Sequence, residues 1–479
     1  MKKKKKETAF EIYQNTLAED EALLLTSFFS DFEGRVSLPR GDRSKMRADF
    51  EKAIVYYASV GVTLTDALDR LRLENLGGFY IRPPLLWFAL DDAAKVYPLS
   101  MKHGQMAVFR LSVYLKEAVV PALLQMALTF VIKRFPSFST SVKKGFFWHY
   151  LDASKQRYFV LPEMDIPCRP LKISKSGSPS FRVLYYGNRI SVEFFHILTD
   201  ATGGMVFLKT LTAEYLRLLG APACKCDGIL DLSEIPDAEE TVNAFSRVER
   251  TANASGFMDS PAVQLSGKLS QHRPCRLLHF KMDAAKLKEA ARKRNATVTA
   301  YILSRMFVAS RYAIDETEGV ISIQVPVNMR KFYPSKTLRN FAMYCGVKFP
   351  LSEVREADAL LGDITAQLSE KAAKPAMDEM ANAAERMVNA IRYVPLFVKS
   401  PVASIIYGYL GDKVITNTLS NLGVISMPQT LTDYIESMDF VLGTAITNRV
   451  SCSMVTFGEV ATLSIAKMTA DPSFEERLY

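Results

Sequence analysis

The chain has 479 residues, of which 48% are hydrophobic and 23% charged, and this composition excludes an intrinsically disordered protein. Of the formal net charge of +9, the lysines from Lys2 to Lys6 supply five units, so the rest of the chain is only weakly basic. A solvated tail is the first interpretation of this run, and peripheral contact with anionic lipid is the alternative. No nucleic-acid partner is predicted, because no recognition motif accompanies the lysines.

The six cysteines are scattered without a paired framework or zinc-ligand spacing, which predicts reduced thiols, no metal and a cytoplasmic location. No segment is predicted to cross a membrane. The most apolar stretch, at 394–410, is interrupted by Pro395, Lys399 and Pro401.

Residues 1–80 are predicted to form a helical N-terminal extension. Apolar residues recur at helical spacing over 10–32 and 45–73, with breaks at Val60-Gly61 and Gly77-Gly78. The pattern does not indicate a function for this extension.

Residues 81–265 are predicted to form a first α/β lobe. A strand is expected at 108–115, and an amphipathic helix over 122–128 is followed by Pro136. Two further strands, at 181–186 and 190–196, are separated by Gly187-Asn188, which favours a hairpin turn.

His196 ends the second strand of this hairpin, on the same side of the strand as Ile190, Val192 and Phe194. Asp200 follows four residues later, and a helical stripe then runs to Gly220. A neutral histidine at a strand end beside a cavity is able to accept a proton from a hydroxyl. The alternative is a core histidine with both nitrogens bonded to the backbone.

A second lobe is predicted over 266–479, after a linker at 252–271. It begins with a strand at 277–282, and Asp283 and Thr297 are expected to cap the next two helices. An alternating strand at 321–327 then leads to Asn328 and Arg330. The polar run 416–423 contains Ser420 and Asn421, which suit either an ordinary turn or donors to an oxyanion.

The ordered set His196-x-x-x-Asp200, Asn328-Met329-Arg330, Asn340-Phe341 and Ser420-Asn421 resembles the chloramphenicol acetyltransferase-like superfamily. This superfamily includes alcohol acetyltransferases, condensation domains of peptide synthetases and plant BAHD acyltransferases. The resemblance covers the chain from about residue 85 to the C-terminus. It implies an α/β (α+β) fold of two lobes with mixed sheets and an active-site tunnel between them.

The resemblance also implies roles for individual residues. His196 would be the general base of a catalytic His-x-x-x-Asp motif, and Asp200 would be an architectural residue paired with Arg330. Asn340 would support the site, and Ser420 and Asn421 would lie near the acyl carbonyl.

The chain departs from the superfamily pattern at three positions near these residues. Phe195 replaces a first histidine, Ala201 stands where condensation domains have glycine, and Arg339 occupies a glycine position. The BAHD signature Asp-Phe-Gly-Trp-Gly is absent. The departure at Phe195 argues against a domain that forms peptide bonds more than against acyl transfer.

The function predicted from this resemblance is acyl-CoA-dependent transfer to the hydroxyl of a small-molecule alcohol or lipid, with acyl-CoA as co-substrate and no permanently bound cofactor. One alternative is a condensation-type enzyme that takes its acyl group from a carrier-protein thioester. Another is a homologue that binds a lipid or small molecule without turnover.

Overall fold

The structure is a computed structural model, and it describes residues 7–81, 86–95, 97–100, 106–153, 156–171, 178–223, 226–252, 261–270, 276–399, 415–443 and 449–479. Three features predicted from the sequence fall, wholly or in part, outside the described residues: the lysine tail, positions 253–260 and 271 of the linker, and positions 400–410 of the apolar stretch.

The N-terminal extension is helical, as predicted. Its helices are α1 (Ala9–Gln14), α2 (Glu19–Arg35), α3 (Arg40–Ser59) and α4 (Leu64–Arg70). The break after α3 coincides with Gly61, whose φ of 79° favours glycine.

These helices share one hydrophobic core with the first lobe. The rings of Phe50 and Phe130 meet with centroids 6.2 Å apart. The hydroxyl of Tyr57 donates to the Leu218 carbonyl at 2.7 Å, and that of Tyr80 donates to the Thr129 carbonyl at 3.0 Å. The extension is therefore packed onto the lobe that contains His196.

The first-lobe strands are β1 (Trp87–Ala89), β2 (Val108–Leu115), β3 (Thr140–Lys144), β4 (His149–Ala153), β5 (Val160–Pro162), β6 (Phe181–Tyr186) and β7 (Arg189–Phe195). Its helices are α5 (Tyr97–Ser100), α6 (Pro121–Val131) and α7 (Ala201–Leu219). The predicted strand at 108–115 has the bounds of β2, and Gly187 turns the hairpin between β6 and β7 with a φ of 55°.

The second-lobe strands are β8 (Arg276–Asp283), β9 (Val320–Asn328), β10 (Ala342–Pro350), β11 (Asn417–Ile425), β12 (Ile435–Leu442), β13 (Val450–Phe457) and β14 (Val460–Lys467). Its helices are α8 (Ala284–Arg292), α9 (Val298–Tyr312), α10 (Leu361–Lys371), α11 (Lys374–Ala390), α12 (Gln429–Thr432) and α13 (Ser473–Leu478). Asp283 and Thr297 cap α8 and α9 as predicted, each side chain accepting a hydrogen bond from a backbone N–H in the first turn.

The strands form three sheets, in the orders β1-β4-β3, β12-β2-β7-β6-β5 and β10-β9-β11-β13-β14-β8. The two large sheets are mixed: β5 runs parallel to β6, and β11 runs parallel to both β9 and β13.

Strand β12 joins the two lobes. Although it comes from the C-terminal half of the chain, it pairs antiparallel with β2 and extends the first-lobe sheet. The Oγ of Ser453 in β13 donates to the carbonyl of Phe440 in β12, so the two large sheets are also in direct contact. This arrangement brings the end of β7 close to the second-lobe chain before β10.

Within the described part of the chain, no helix combines the length and the apolar character needed to cross a membrane.

Candidate active site

His196 lies one residue beyond the end of β7, and packing fixes its backbone and ring. Its backbone N–H donates to the Ala107 carbonyl at 2.8 Å. The ring of Tyr97 stacks on the imidazole at a centroid distance of 4.8 Å and an interplanar angle of 23°, and Phe109 meets it edge-on at 5.1 Å. His196 keeps part of its surface exposed, whereas Ile197 and Leu198 after it are fully buried.

Asn340, from the second lobe, determines which imidazole nitrogen carries the proton. Its Oδ1 lies 2.8 Å from His196 Nδ1, and its Nδ2 donates to the His196 carbonyl at 2.9 Å. Because an amide oxygen only accepts, Nδ1 must be the donor of the shorter contact. Nε2 of the neutral ring then holds a lone pair, and among the described residues no group hydrogen-bonds to it.

Burial favours the neutral form of this imidazole. Burial lowers the pKa of His196 below its ordinary value, and the Asn340 hydrogen bond and the Asp200 charge oppose this effect only in part. A neutral ring with a free Nε2 is the form that a general base requires.

Asp200 has an architectural position. Its Oδ1 accepts from the Gly203 N–H at 3.0 Å and so caps α7. Its Oδ2 accepts from the Phe341 N–H at 2.8 Å and from Arg330 Nη1 at 2.7 Å. The ion pair predicted between Asp200 and Arg330 is therefore confirmed, and it links the two lobes.

Arg330 connects this ion pair to the loop that carries Asn340. Its Nη2 donates to the carbonyls of Thr337 and Arg339, at 2.9 Å and 2.7 Å. The same loop approaches α7, where a Cβ on Gly203 would collide with the Leu338 carbonyl and Thr199 Oγ1. Glycine at 203 therefore allows the two lobes to meet beside His196.

Two residues near His196 were missed by the sequence analysis, Tyr97 and Asp91. Asp91 is completely buried, and its Oδ2 accepts from Asn340 Nδ2 at 3.2 Å. Arg339, noted in the sequence only as a replacement for glycine, is also buried, with its Nη2 3.7 Å from Asp91 Oδ2. Asp91 and Tyr97 both follow the short strand β1. No sequence pattern around them marks either residue as part of a site.

Ser420 and Asn421 are neighbours in β11 with different surroundings. Ser420 is buried and pairs with Ser453 on the neighbouring strand β13. Paired residues point to the same side of a sheet, and Ser453 contacts β12 of the first-lobe sheet. Ser420 therefore faces the first lobe. Asn421 uses its side chain locally: its Nδ2 donates to Thr299 Oγ1 at 3.1 Å, and its Oδ1 accepts from the Gly423 N–H at 2.8 Å. No hydrogen bond among the described residues joins either side chain to His196.

The predicted site residues thus separate into two groups. His196, Asn340, Arg330 and Asp200 are connected through hydrogen bonds and one short loop, whereas the pair at 420–421 is not connected to them. In the described part of the chain, no group of three or more His, Cys, Asp or Glu side chains is arranged to hold a metal ion.

Comparison with known proteins shows the fold. No protein-family model matches the sequence, and no curated protein matches it. Polyketide synthase associated protein 5 from Mycobacterium tuberculosis is 12% identical with a TM-score of 0.57, over 81% of this chain and 95% of that one.

Two Fusarium proteins are similar to the chain to the same degree. The trichothecene 15-O-acetyltransferase TRI3 from Fusarium sporotrichioides is 12% identical with a TM-score of 0.54, over 82% of this chain and 92% of that one. TRI101 from F. graminearum, in complex with coenzyme A and T-2 mycotoxin, is 11% identical with a TM-score of 0.57, over 82% of this chain and 96% of that one. The two-lobe chloramphenicol acetyltransferase-like fold is thus confirmed.

Proposed function

We propose that this chain is an acyl-CoA-dependent O-acyltransferase in which His196 is the general base. The observation that carries the proposal is the hydrogen bond between His196 Nδ1 and Asn340 Oδ1, which leaves the lone pair on Nε2 of a residue that is partly exposed. The same contact supports a base over a core histidine with both nitrogens bonded to the backbone, because the partner of Nδ1 is a side-chain amide.

In the proposed reaction, Nε2 removes the proton from an acceptor hydroxyl as the oxygen attacks the thioester carbonyl. The resulting imidazolium donates that proton to the departing CoA sulfur when the tetrahedral intermediate collapses. The products are an ester and free CoA, and the base returns to its neutral form. This sequence needs neither a covalent enzyme intermediate nor a metal.

The remaining site residues have supporting roles in this proposal. Asp200 and Arg330 hold the loop that presents Asn340. Ser420 is proposed as the donor to the oxyanion, because its hydroxyl lies on the face of the second sheet directed toward the first lobe. The catalytic tunnel between the lobes is part of the same proposal.

The choice of donor and acceptor is supported by structural neighbours. TRI101 was solved with coenzyme A and a mycotoxin, and TRI3 is named a 15-O-acetyltransferase. We therefore propose acyl-CoA as donor and a small-molecule or lipid alcohol as acceptor. The cytoplasmic location and the lipid contact of the tail from Lys2 to Lys6 stay predictions.

The test is release of free thiol from acyl-CoAs of increasing chain length in the presence of a panel of alcohols, with ester formation followed by mass spectrometry. Replacing acyl-CoA by an acyl-carrier protein in the same assay distinguishes the condensation-type alternative. Binding of acyl-CoA without turnover by any alcohol would support the non-catalytic alternative.

A further inference from the structure

Asp91 is a fully buried acid that the proposed acyl transfer does not use directly. Its Oδ1 accepts from the Ala94 N–H at 2.7 Å, which fixes the carboxylate relative to its own backbone. Its Oδ2 faces Asn340 Nδ2 at 3.2 Å and Arg339 Nη2 at 3.7 Å. A buried carboxylate requires partners of this kind, and here one of them is the residue that contacts His196.

The amide of Asn340 has two acceptors on one side, and they determine its orientation. The Asp91 carboxylate and the His196 carbonyl both need an N–H donor, and Nδ2 supplies one hydrogen to each. If the amide were rotated by half a turn, its oxygen would face both acceptors and its nitrogen would face His196 Nδ1. The observed orientation therefore requires that Nδ1 carry the proton.

Arg339 holds Asp91 in place. Its guanidinium donates to the carbonyls of Ala89, at the end of β1, and Thr241, the latter at 3.2 Å. The guanidinium, on the second-lobe loop, thus contacts two first-lobe segments, the strand that leads to Asp91 and the turn that contains Thr241. A glycine at 339 would provide none of these contacts.

We propose that Asp91 and Arg339 are positioning residues that fix the amide of Asn340, and through it the proton on Nδ1 of His196. Burial raises the pKa of Asp91 to about 6, opposed by Arg339, so at neutral pH the carboxylate is ionised and only accepts hydrogen bonds. The effect on rate rests on the proposed function, whereas the effect on the tautomer of His196 does not.

The test uses the full chain with Asp91→Asn and Arg339→Gln combined, so that neither charge is left alone in the interior. The tautomer is measured from the imidazole ¹⁵N chemical shifts of protein labelled at its five histidines, with the His196 signals assigned by their loss in His196→Ala. We expect a population protonated at Nε2 to appear in the double variant. We also expect kcat to fall about tenfold with the KM for acyl-CoA unchanged, the loss that one hydrogen bond of ordinary strength produces.

The matched control is Asp49→Asn combined with Arg157→Gln, which removes a partly buried bidentate pair of 2.6 Å and 2.8 Å that has no contact with His196. If the first double variant does not fold, Arg339→Lys replaces it, because lysine keeps the charge but cannot bond to Ala89 and Thr241 together.

The inference is supported if the ratio of Nε2-protonated to Nδ1-protonated His196 changes more in the Asp91 and Arg339 variant than in the control. A ratio and a kcat that remain those of the wild type would overturn it. If no substrate is turned over, the proposed function fails, yet the ¹⁵N measurement still tests the positioning role.

Discussion

Arg330 of the second lobe lies 2.7 Å from Asp200 of the first, and both side chains are largely buried. The pair joins the capped start of α7 to the loop that carries Asn340. We therefore propose that the pair fixes the geometry of the two lobes around His196 and takes no part in proton transfer.

Asp200→Asn should lower the free energy of unfolding by about 3 kcal/mol, because it leaves the Arg330 charge buried without its counterion. Urea denaturation measures this change. Asp31→Asn is the matched control: Asp31 pairs with Arg35 at a similar distance of 2.8 Å, but Asp31 is exposed and Arg35 only half-buried, so a change below about 1 kcal/mol is expected. Equal effects of the two substitutions would contradict the interpretation.

Gly203→Ala should destabilise the protein by about 2 kcal/mol, because the new methyl group would collide with the Leu338 carbonyl and force the lobes apart beside His196. Thermal unfolding measures the change in stability. The control is Gly34→Ala in α2, where no atom lies within 4 Å of the position that the methyl group would occupy. That control should be neutral or stabilising by up to about 1 kcal/mol, since alanine favours a helix. A Gly203→Ala protein as stable as the wild type would show that the lobes separate without cost.

Ser420→Ala should reduce kcat about 10²-fold with little change in KM, as expected on loss of one oxyanion donor. Asn421→Ala is the matched control, because the Asn421 side chain forms hydrogen bonds with Thr299 and Gly423 and does not face the first lobe. We expect Asn421→Ala to lower the free energy of unfolding by about 1 kcal/mol while kcat changes less than about threefold. The reverse pattern would assign the oxyanion role to Asn421.

The pH dependence of kcat/KM should show loss of activity on the acidic side with an apparent pKa below about 6.5, the ordinary value for histidine. The base acts only when unprotonated, so the rate falls as the pH drops through its pKa. Burial lowers the pKa of His196, and this moves the fall toward lower pH. Initial rates between about pH 5 and 8 with a non-titrating alcohol measure this, and an acidic limb centred above about pH 7 would be inconsistent with a desolvated imidazole.

Structural features that depend on a local sequence pattern could be predicted from the sequence alone. Strand β2, the turn at Gly187 and the stripe of α7 that ends at Gly220 follow from periodicity and turn chemistry over a few residues. The Asp200 and Arg330 pair followed from the resemblance. Both residues lie at the ends of helices or strands whose positions the sequence had predicted.

Contacts between residues far apart in the chain could not be predicted, because no local sequence pattern marks them. Asp91 and Asn340 are 249 positions apart, and an acid after a three-residue strand resembles any surface acid until the fold buries it. The pairing of β12 with β2 was also missed, because a strand's own residues do not show which sheet it joins.

The central claim is that His196 is the base for acyl transfer, and thiol release from acyl-CoA by His196→Ala tests it most directly. His149→Ala is the control, since that histidine is buried in β4 of a different sheet. We expect His196→Ala to lose about 10²- to 10⁴-fold in kcat while remaining folded, and His149→Ala to keep activity close to that of the wild type. A folded His196→Ala protein with more than about a tenth of the wild-type rate would contradict the account.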